Sequence, residues 1–269
     1  MKTLRPLLFF VSLLLIVGLA CSFGRAGETP TKPPTDQPVQ LDNPTSPPPE
    51  PTEVPPTEPP TEPPATEPPA PQAQQFFTEE FDNPLSSDWS TRIDFAHPNL
   101  TESDKVTVQA KNGKLVWNFG NKGVYYYLIY GAYEYEDVVV EARSENKGKN
   151  NNNISLICRY DPTVGWYEFN IANNGLYEIY FVRILDNGRV EYNRIVNGGS
   201  NFIKTGLAVN EYYAKCQGDQ FTLKINGKDV ITAQDKKYGH RRGQVGVSVS
   251  SFTALPVVVE MDWLKISEP

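Results

Sequence analysis

The chain is poor in the residues that most often carry chemistry. Histidine occurs only twice in 269 residues, at His97 and His240. Neither sits beside a serine or acid motif, so a hydrolytic triad has no legible basis. Cysteine occurs three times, with no Cys-x-x-Cys pair and no zinc-ligand spacing. No glycine-rich phosphate loop is present. The apolar run Leu7–Ala20 has 14 residues, short of the ~20 that cross a bilayer core. No segment of ten or more residues repeats its apolar positions with a helical period of 3.6. A basic face is missing as well. The formal charge of -7 divides into +3 over residues 1–27, -7 over 28–75 and -3 over 76–269. Nucleic acid is therefore excluded as a partner, because its recognition needs a clustered positive surface.

What the chain does contain is sharply partitioned. Of its 24 prolines, 18 fall between residues 30 and 71. Residues 1–20 read as a secretory leader, with a short basic start, the apolar run and small residues at its end. Gly18-Leu19-Ala20-Cys21 resembles a bacterial lipobox, with Gly18 where that motif usually has leucine. The expectation is lipidation of Cys21 and attachment to a membrane on the bacterial cell surface. An uncleaved anchor or ordinary signal-peptidase cleavage is the alternative. Residues 21–75 then form a linker with Pro-Pro-Thr-Glu repeats at Pro55–Glu58 and Pro59–Glu62. Such a segment has no apolar face to bury and stays extended or disordered. At ~3.1 Å per residue, a fully extended tract of this size reaches on the order of 140 Å. It reads as a stalk that crosses a wall or capsule, or as a plain tether.

Residues 76–269, 194 in all, are enough for one folded domain. Strands are expected near 76–81, 105–110, 114–119, 123–130, 136–145, 153–160, 165–171, 176–185, 189–196, 210–217, 220–225, 228–233, 244–251 and 257–267. Turn residues separate them, including Asn112-Gly113, Gly218-Asp219 and Asn226-Gly227. The last is the strongest hairpin signal, since Phe221, Leu223 and Ile225 alternate with polar residues before an Asn-Gly pair suited to a type I′ turn. Many short strands without helices predict an all-β, two-sheet antiparallel sandwich. Cys158 and Cys216 share strand faces with Ile154 and Leu156, and with Tyr212 and Ala214, so both sulfurs point inward. In an exported protein that pairing favours a disulfide over two buried free thiols.

The ends of the domain carry a family resemblance. Phe77-Thr78-Glu79-Glu80-Phe81-Asp82 with Trp89, and Val257–Ile266, resemble the opening and closing strands of the concanavalin A-like lectin/glucanase superfamily. This group holds family 16 glycoside hydrolases and their non-catalytic relatives. Cys158-Arg159-Tyr160, Cys216-Gln217-Gly218-Asp219 and Asn226-Gly227-Lys228 are similar to laminin-G-like or sugar-hydrolase-like modules of bacterial lipoproteins. The resemblance implies a jelly roll over residues 76–269. It also implies two sites. The glucanase strand reads Glu-x-Asp-x-(x)-Glu, which places its carboxylates on one strand face for two-carboxylate hydrolysis. In Trp166–Ala172 the corresponding positions hold Glu168, Asn170 and Ala172. Alanine cannot move a proton, so hydrolysis at this strand is not expected. The second implied site is a structural Ca²⁺ held by Glu80, Gly113 and Asp262, oxygen ligands suited to that ion. The alternative is that Asp262 is a solvated acid.

Strand parity puts Trp166, Glu168 and Asn170 on one face and Tyr167, Phe169 and Ile171 on the other. Trp166 then offers a flat surface to a sugar ring, and the polar pair orients hydroxyls. Arg159, outward by parity, and Glu178 with Tyr180 on the next strand line the same concave sheet. The alternative is an ordinary polar sheet face. The resulting expectation is a lipid-anchored surface protein whose concanavalin A-like domain binds polysaccharide or cell-wall glycan without cleaving it. A hydrolase of the same fold and an adhesion domain for protein partners are the competing readings. Asn150–Asn153 reads as a mobile polar loop, and the tyrosines from Tyr125 to Tyr135 as strand packing.

Overall fold

The computed structural model describes residues 73–149 and 151–269. The leader, Cys21 and the proline-rich linker lie outside the described residues. Alternating apolar residues produce fifteen strands in these segments: β1 Phe77–Glu79, β2 Trp89–Phe95, β3 Val106–Ala110, β4 Leu115–Phe119, β5 Val124–Tyr135, β6 Val138–Asn146, β7 Asn152–Asp161, β8 Gly165–Ala172, β9 Leu176–Ile184, β10 Val190–Gly199, β11 Val209–Gln217, β12 Gln220–Ile225, β13 Lys228–Gln234, β14 Gly243–Ser251 and β15 Val257–Ser267.

They form two antiparallel sheets stacked as a jelly-roll sandwich. One runs β13-β12-β11-β6-β15-β4-β3, with β1 added on β15. The other runs β10-β9-β8-β7-β14-β5-β2. Inward side chains of both sheets make one core that includes Trp117, Phe119, Leu128, Tyr167, Phe169 and Phe221. Its burial supplies the main driving force for folding. Cys158 on β7 and Cys216 on β11 are joined as a disulfide across the two sheets, the pairing their inward parity favours. The β12–β13 hairpin closes through Asn226 and Gly227, with φ of 51° and 72°. Two successive positive φ values define a type I′ turn, which glycine adopts without strain.

Two features differ from the sequence expectation. Strand β2 is an edge strand paired with β5 through Trp89–Phe95. Its Arg92 and Asp94 neutralise each other at 2.7 Å, which lets a charged segment pair as a strand. Asn152 and Asn153 open β7 rather than lying in a loop. The tyrosines at the end of β5 also do more than pack. Tyr133, Tyr130 and Tyr135 donate to the carbonyls of Ala73, Gln74 and Gln75 at 3.2, 2.7 and 2.6 Å. Three hydroxyls thus clamp the chain where it enters the domain.

Candidate functional site

The outer face of the seven-stranded sheet carries the sequence-derived site. Its residues alternate with core residues on each strand, and the register stacks them in rows. Trp166 faces Val182 and then Tyr192 across β8, β9 and β10. In the next rows Glu168 faces Tyr180 and Arg194, and Asn170 faces Glu178 and Asn197. Parity therefore places Trp166, Glu168, Asn170, Glu178 and Tyr180 on one face, with Tyr167 and Phe169 in the core.

That face is curled. Tyr192 of β10 meets Tyr125 of β5 with ring centroids 5.8 Å apart, and its hydroxyl lies 2.5 Å from that of Tyr127. Four strands separate β10 from β5 in the sheet order. At the rim, Arg92 on β2 donates to the carbonyl of Gly188 in the β9–β10 turn at 3.1 Å. The trough is thus filled by its own aromatics. Trp166 packs against Tyr127 at 5.1 Å and Tyr160 at 5.3 Å, under the Arg92 guanidinium at 5.6 Å. It is fully buried, so it offers no surface to a sugar ring in this conformation.

Glu168 is fully buried in the same cage. Its carboxylate accepts from Ser155 Oγ at 2.8 Å, Trp166 Nε1 at 3.0 Å, Asn170 Nδ2 at 3.3 Å and Tyr127 Oη at 3.4 Å. Burial holds its carboxyl above the usual carboxylate range, and the four donors only partly offset this. Burial and the Glu168 charge together push the Tyr127 and Tyr192 hydroxyls well above the ordinary phenol value. The motif holds no second acid, since Asn170 and Ala172 stand at its later positions. Asn170 Nδ2 also donates to Ser155 Oγ at 3.1 Å, and Asn153 Nδ2 donates to Asn170 Oδ1 at 2.6 Å.

Arg159 is placed elsewhere. A β-bulge between Cys158 and Asp161 shifts the register against β8, and Arg159 takes a φ of 56°. The extra residue reverses the parity. Its buried side chain lies over the core rings of Tyr167 and Phe221 at 5.9 and 5.8 Å. There it donates to the carbonyls of Glu136 and His240 at 2.8 and 3.0 Å.

The implied calcium site is corrected by the structure. Among the described residues no three His, Cys, Asp or Glu side chains come together to hold a metal ion. Asp262 is instead ion-paired to Lys114 at 2.7 Å and to Arg143. Two cations neutralise the carboxylate a calcium ion would need, and Glu80 is exposed. Asp262 is a member of an ion-pair ladder on the other sheet.

Two depressions remain open at the trough. The larger, of about 490 Å³, lies between β2 with its following loop and the β9–β10 turn, and is lined in part by Asp94, His97, Leu100, Tyr125, Arg189 and Tyr192. The smaller, of about 190 Å³, is lined by Asn153, Asn170, Ala172, Leu176, Tyr177, Glu178, Asn197 and Gly198. They share no lining residue. Glu178 is held by Arg194 at 2.8 Å and accepts from Tyr180. The sequence does not single out Ser155, Tyr192 or Asn197, and Tyr127 and Asn153 read there only as strand packing and as part of a polar loop. Asn153 and Ser155 alternate with the inward Ile154, Leu156 and Cys158 of β7, which puts them on its outer face and is the one local signal they carry.

The fold is that of glycoside hydrolase family 16 enzymes. The β-glucanase of Bacillus licheniformis superposes with a TM-score of 0.51 over 74% of this chain and 100% of its own, at 14% identity. A family 16 endo-glucanase from Bacteroides ovatus gives 0.51 over 71% and 99%, at 13% identity. A further structure described as a native glycosidic hydrolase gives 0.50 over 74% and 100%, at 17% identity. No protein-family model and no curated protein sequence matches the chain. At these identities the likeness fixes the architecture, a concanavalin A-like jelly roll, and leaves activity to be argued from the site.

Proposed function

We propose that this chain is a lipid-anchored, extracytoplasmic protein whose jelly-roll domain recognises glycan without cleaving it. The observation that carries this reading is the state of the glucanase-like strand. Two and four residues beyond Glu168 stand an amide and a methyl group, and Glu168 itself is enclosed by four donors of its own chain. Two-carboxylate hydrolysis needs an acid and a second carboxylate at about 5–5.5 Å or 6.5–9.5 Å flanking an accessible bond. An enclosed carboxyl cannot reach such a bond. The inter-sheet disulfide supports an oxidising compartment, and the Cys21 motif with its long linker supports display from a membrane. The polar groups lining the smaller depression, Asn153, Glu178 and Asn197 over a floor of Asn170, are of the kind that bind sugar hydroxyls.

A hydrolase of the same fold is the second reading. It is favoured by a buried carboxyl held above its usual range, as a general acid requires, and by Glu178 as another carboxylate on the same face. Affinity electrophoresis in β-glucan, mannan, xylan, fructan and peptidoglycan gels, alongside reducing-sugar release from the same polymers, separates the two. Retardation without release supports recognition. Release abolished by Glu168→Gln would establish the hydrolase, and neither signal on any polymer would refute both.

A further inference from the structure

We infer that the smaller depression is a single-residue site that takes the terminal sugar unit of a glycan rather than an internal stretch of chain. The inference rests on the glycan-binding reading above and specifies what that site selects. An internal stretch would need a trough open at both ends. Here the face is continuous from Asn170 and Glu178 to Glu168 and Tyr180 and then to Trp166 and Tyr192, but the way is shut. Trp166 and Glu168 have no exposed surface. Tyr192 is fixed over the sheet by its contacts with Tyr125 at 5.8 Å, Tyr180 at 5.5 Å and the Tyr127 hydroxyl at 2.5 Å. The larger depression lies beyond these rings and shares none of the smaller one's lining. A chain seated against Asn170 therefore ends there.

Size and chemistry fit one ring. At about 190 Å³ the depression lies below the ~300–1,000 Å³ of ordinary small-molecule sites. The amides of Asn153 and Asn197 and the Glu178 carboxylate offer donors and acceptors for adjacent hydroxyls. Asn170, whose amide is already bonded to Ser155 and Glu168, fixes the floor. Ala172 and the half-exposed Leu176, at 53%, give the apolar contact that the C–H face of a sugar ring requires. Gly198 makes room for the wall, since a Cβ there would lie 2.5 Å from Tyr177 Oη. Such a site counts chain ends.

The test is a length series on the full chain. Single sugars through hexasaccharides of the same five polymer classes are titrated by calorimetry. For the sugar class that binds, the dissociation constant is expected to change by less than about twofold beyond the disaccharide, and capacity on polymer to rise in proportion to chain ends. Asn153→Ala and Asn197→Ala should each weaken binding about tenfold, the effect of losing one good hydrogen-bonded contact. Affinity that climbs steadily with length would overturn the terminal-unit inference while leaving glycan recognition standing. No binding to any member of the series would overturn the glycan reading itself. In Tyr192→Phe, which keeps the ring and drops the Tyr127 bond, length independence should persist. Length independence that survives Asn153→Ala, Asn197→Ala and Glu178→Ala at unchanged affinity would place binding elsewhere and refute the site.

Discussion

Replacing Glu168 by glutamine and by alanine separates two roles of one buried carboxyl. Burial holds it above the ordinary carboxylate value. The folded protein therefore keeps a proton that the unfolded chain has already released. Stability from this group is fully present below the unfolded value and falls as pH rises from there through the folded value, after which the penalty is level. Glutamine removes that slope. It can still accept from Trp166 through its oxygen while its amide donates to Ser155 Oγ. Relative to wild type, Glu168→Gln should thus gain stability as pH rises from about 4 to 8. Alanine removes the slope too but strands a donor. Asn170 Nδ2 retains Ser155 at 3.1 Å, and Tyr127 Oη retains Tyr192 at 2.5 Å. Trp166 Nε1, which can only donate, is left with nothing. One buried unsatisfied donor costs ~1–3 kcal/mol, and a domain of this size loses ~2–4 °C per kcal/mol. Glu168→Ala should melt ~2–12 °C below wild type near pH 4 and recover part of that loss by pH 8. Scanning calorimetry across that range reads both effects. Melting curves of all three proteins that run parallel at every pH would refute the argument, because they would mean that Glu168 does not change protonation on folding.

Three further outcomes follow from other parts of the fold. Reducing the Cys158–Cys216 disulfide, or replacing both cysteines by serine, should lower stability by about 2–5 kcal/mol in denaturant titrations, since the bond closes a long loop between sheets. Converting Tyr130, Tyr133 and Tyr135 together to phenylalanine removes three hydroxyl contacts worth ~0.5–1.5 kcal/mol each. Amide exchange should then accelerate around residues 73–77, and unchanged exchange there would argue against the clamp. Adding calcium or a chelator should leave the melting midpoint where it is, because Lys114 and Arg143 already hold Asp262; a midpoint raised by calcium would reopen the ion site.

Much of the architecture was legible because a sandwich strand advertises itself by alternation. Phe221, Leu223 and Ile225 pointed inward on β12, and the inward cysteines found each other across the sheets. Local pattern was insufficient in two places. The strand of Trp89–Phe95 carries Arg92 and Asp94, whose charges are tolerable only because they pair with each other. Arg159 defeated the parity rule because one inserted residue in β7 reverses every later side chain, and nothing in Cys158-Arg159-Tyr160 marks a bulge. The implied calcium ligands failed for a related reason. Whether Asp262 is free depends on what lies on neighbouring strands, and there it meets two cations.

Parity predicts which way a side chain points, whereas exposure depends on sheet curvature, and the candidate site turns on that distinction. Trp166, Glu168 and Asn170 share the face their alternation requires, yet the first two are sealed from solvent. The sealing residues come from β2, β5, β7 and β10, which no sequence window joins. A trace of the closure is nonetheless present in β14. On its outer face Gly246 lies between Ile129 and Ile157, Ser248 between Tyr127 and Ser155, and Ser250 between Tyr125 and Asn153. Both serines are fully buried there, and their hydroxyls have no hydrogen-bond partner among the described residues. Small residues at the middle of a curled sheet leave the depth into which Tyr125, Tyr127 and Tyr192 can lean. Larger side chains at Ser248 or Ser250 would displace those rings and loosen the Tyr127–Tyr192 contact. Ser248→Val therefore tests closure without altering any residue of the smaller depression. If the trough is shut by this packing, the variant should bind longer oligosaccharides more tightly than short ones, a preference the native protein should not show.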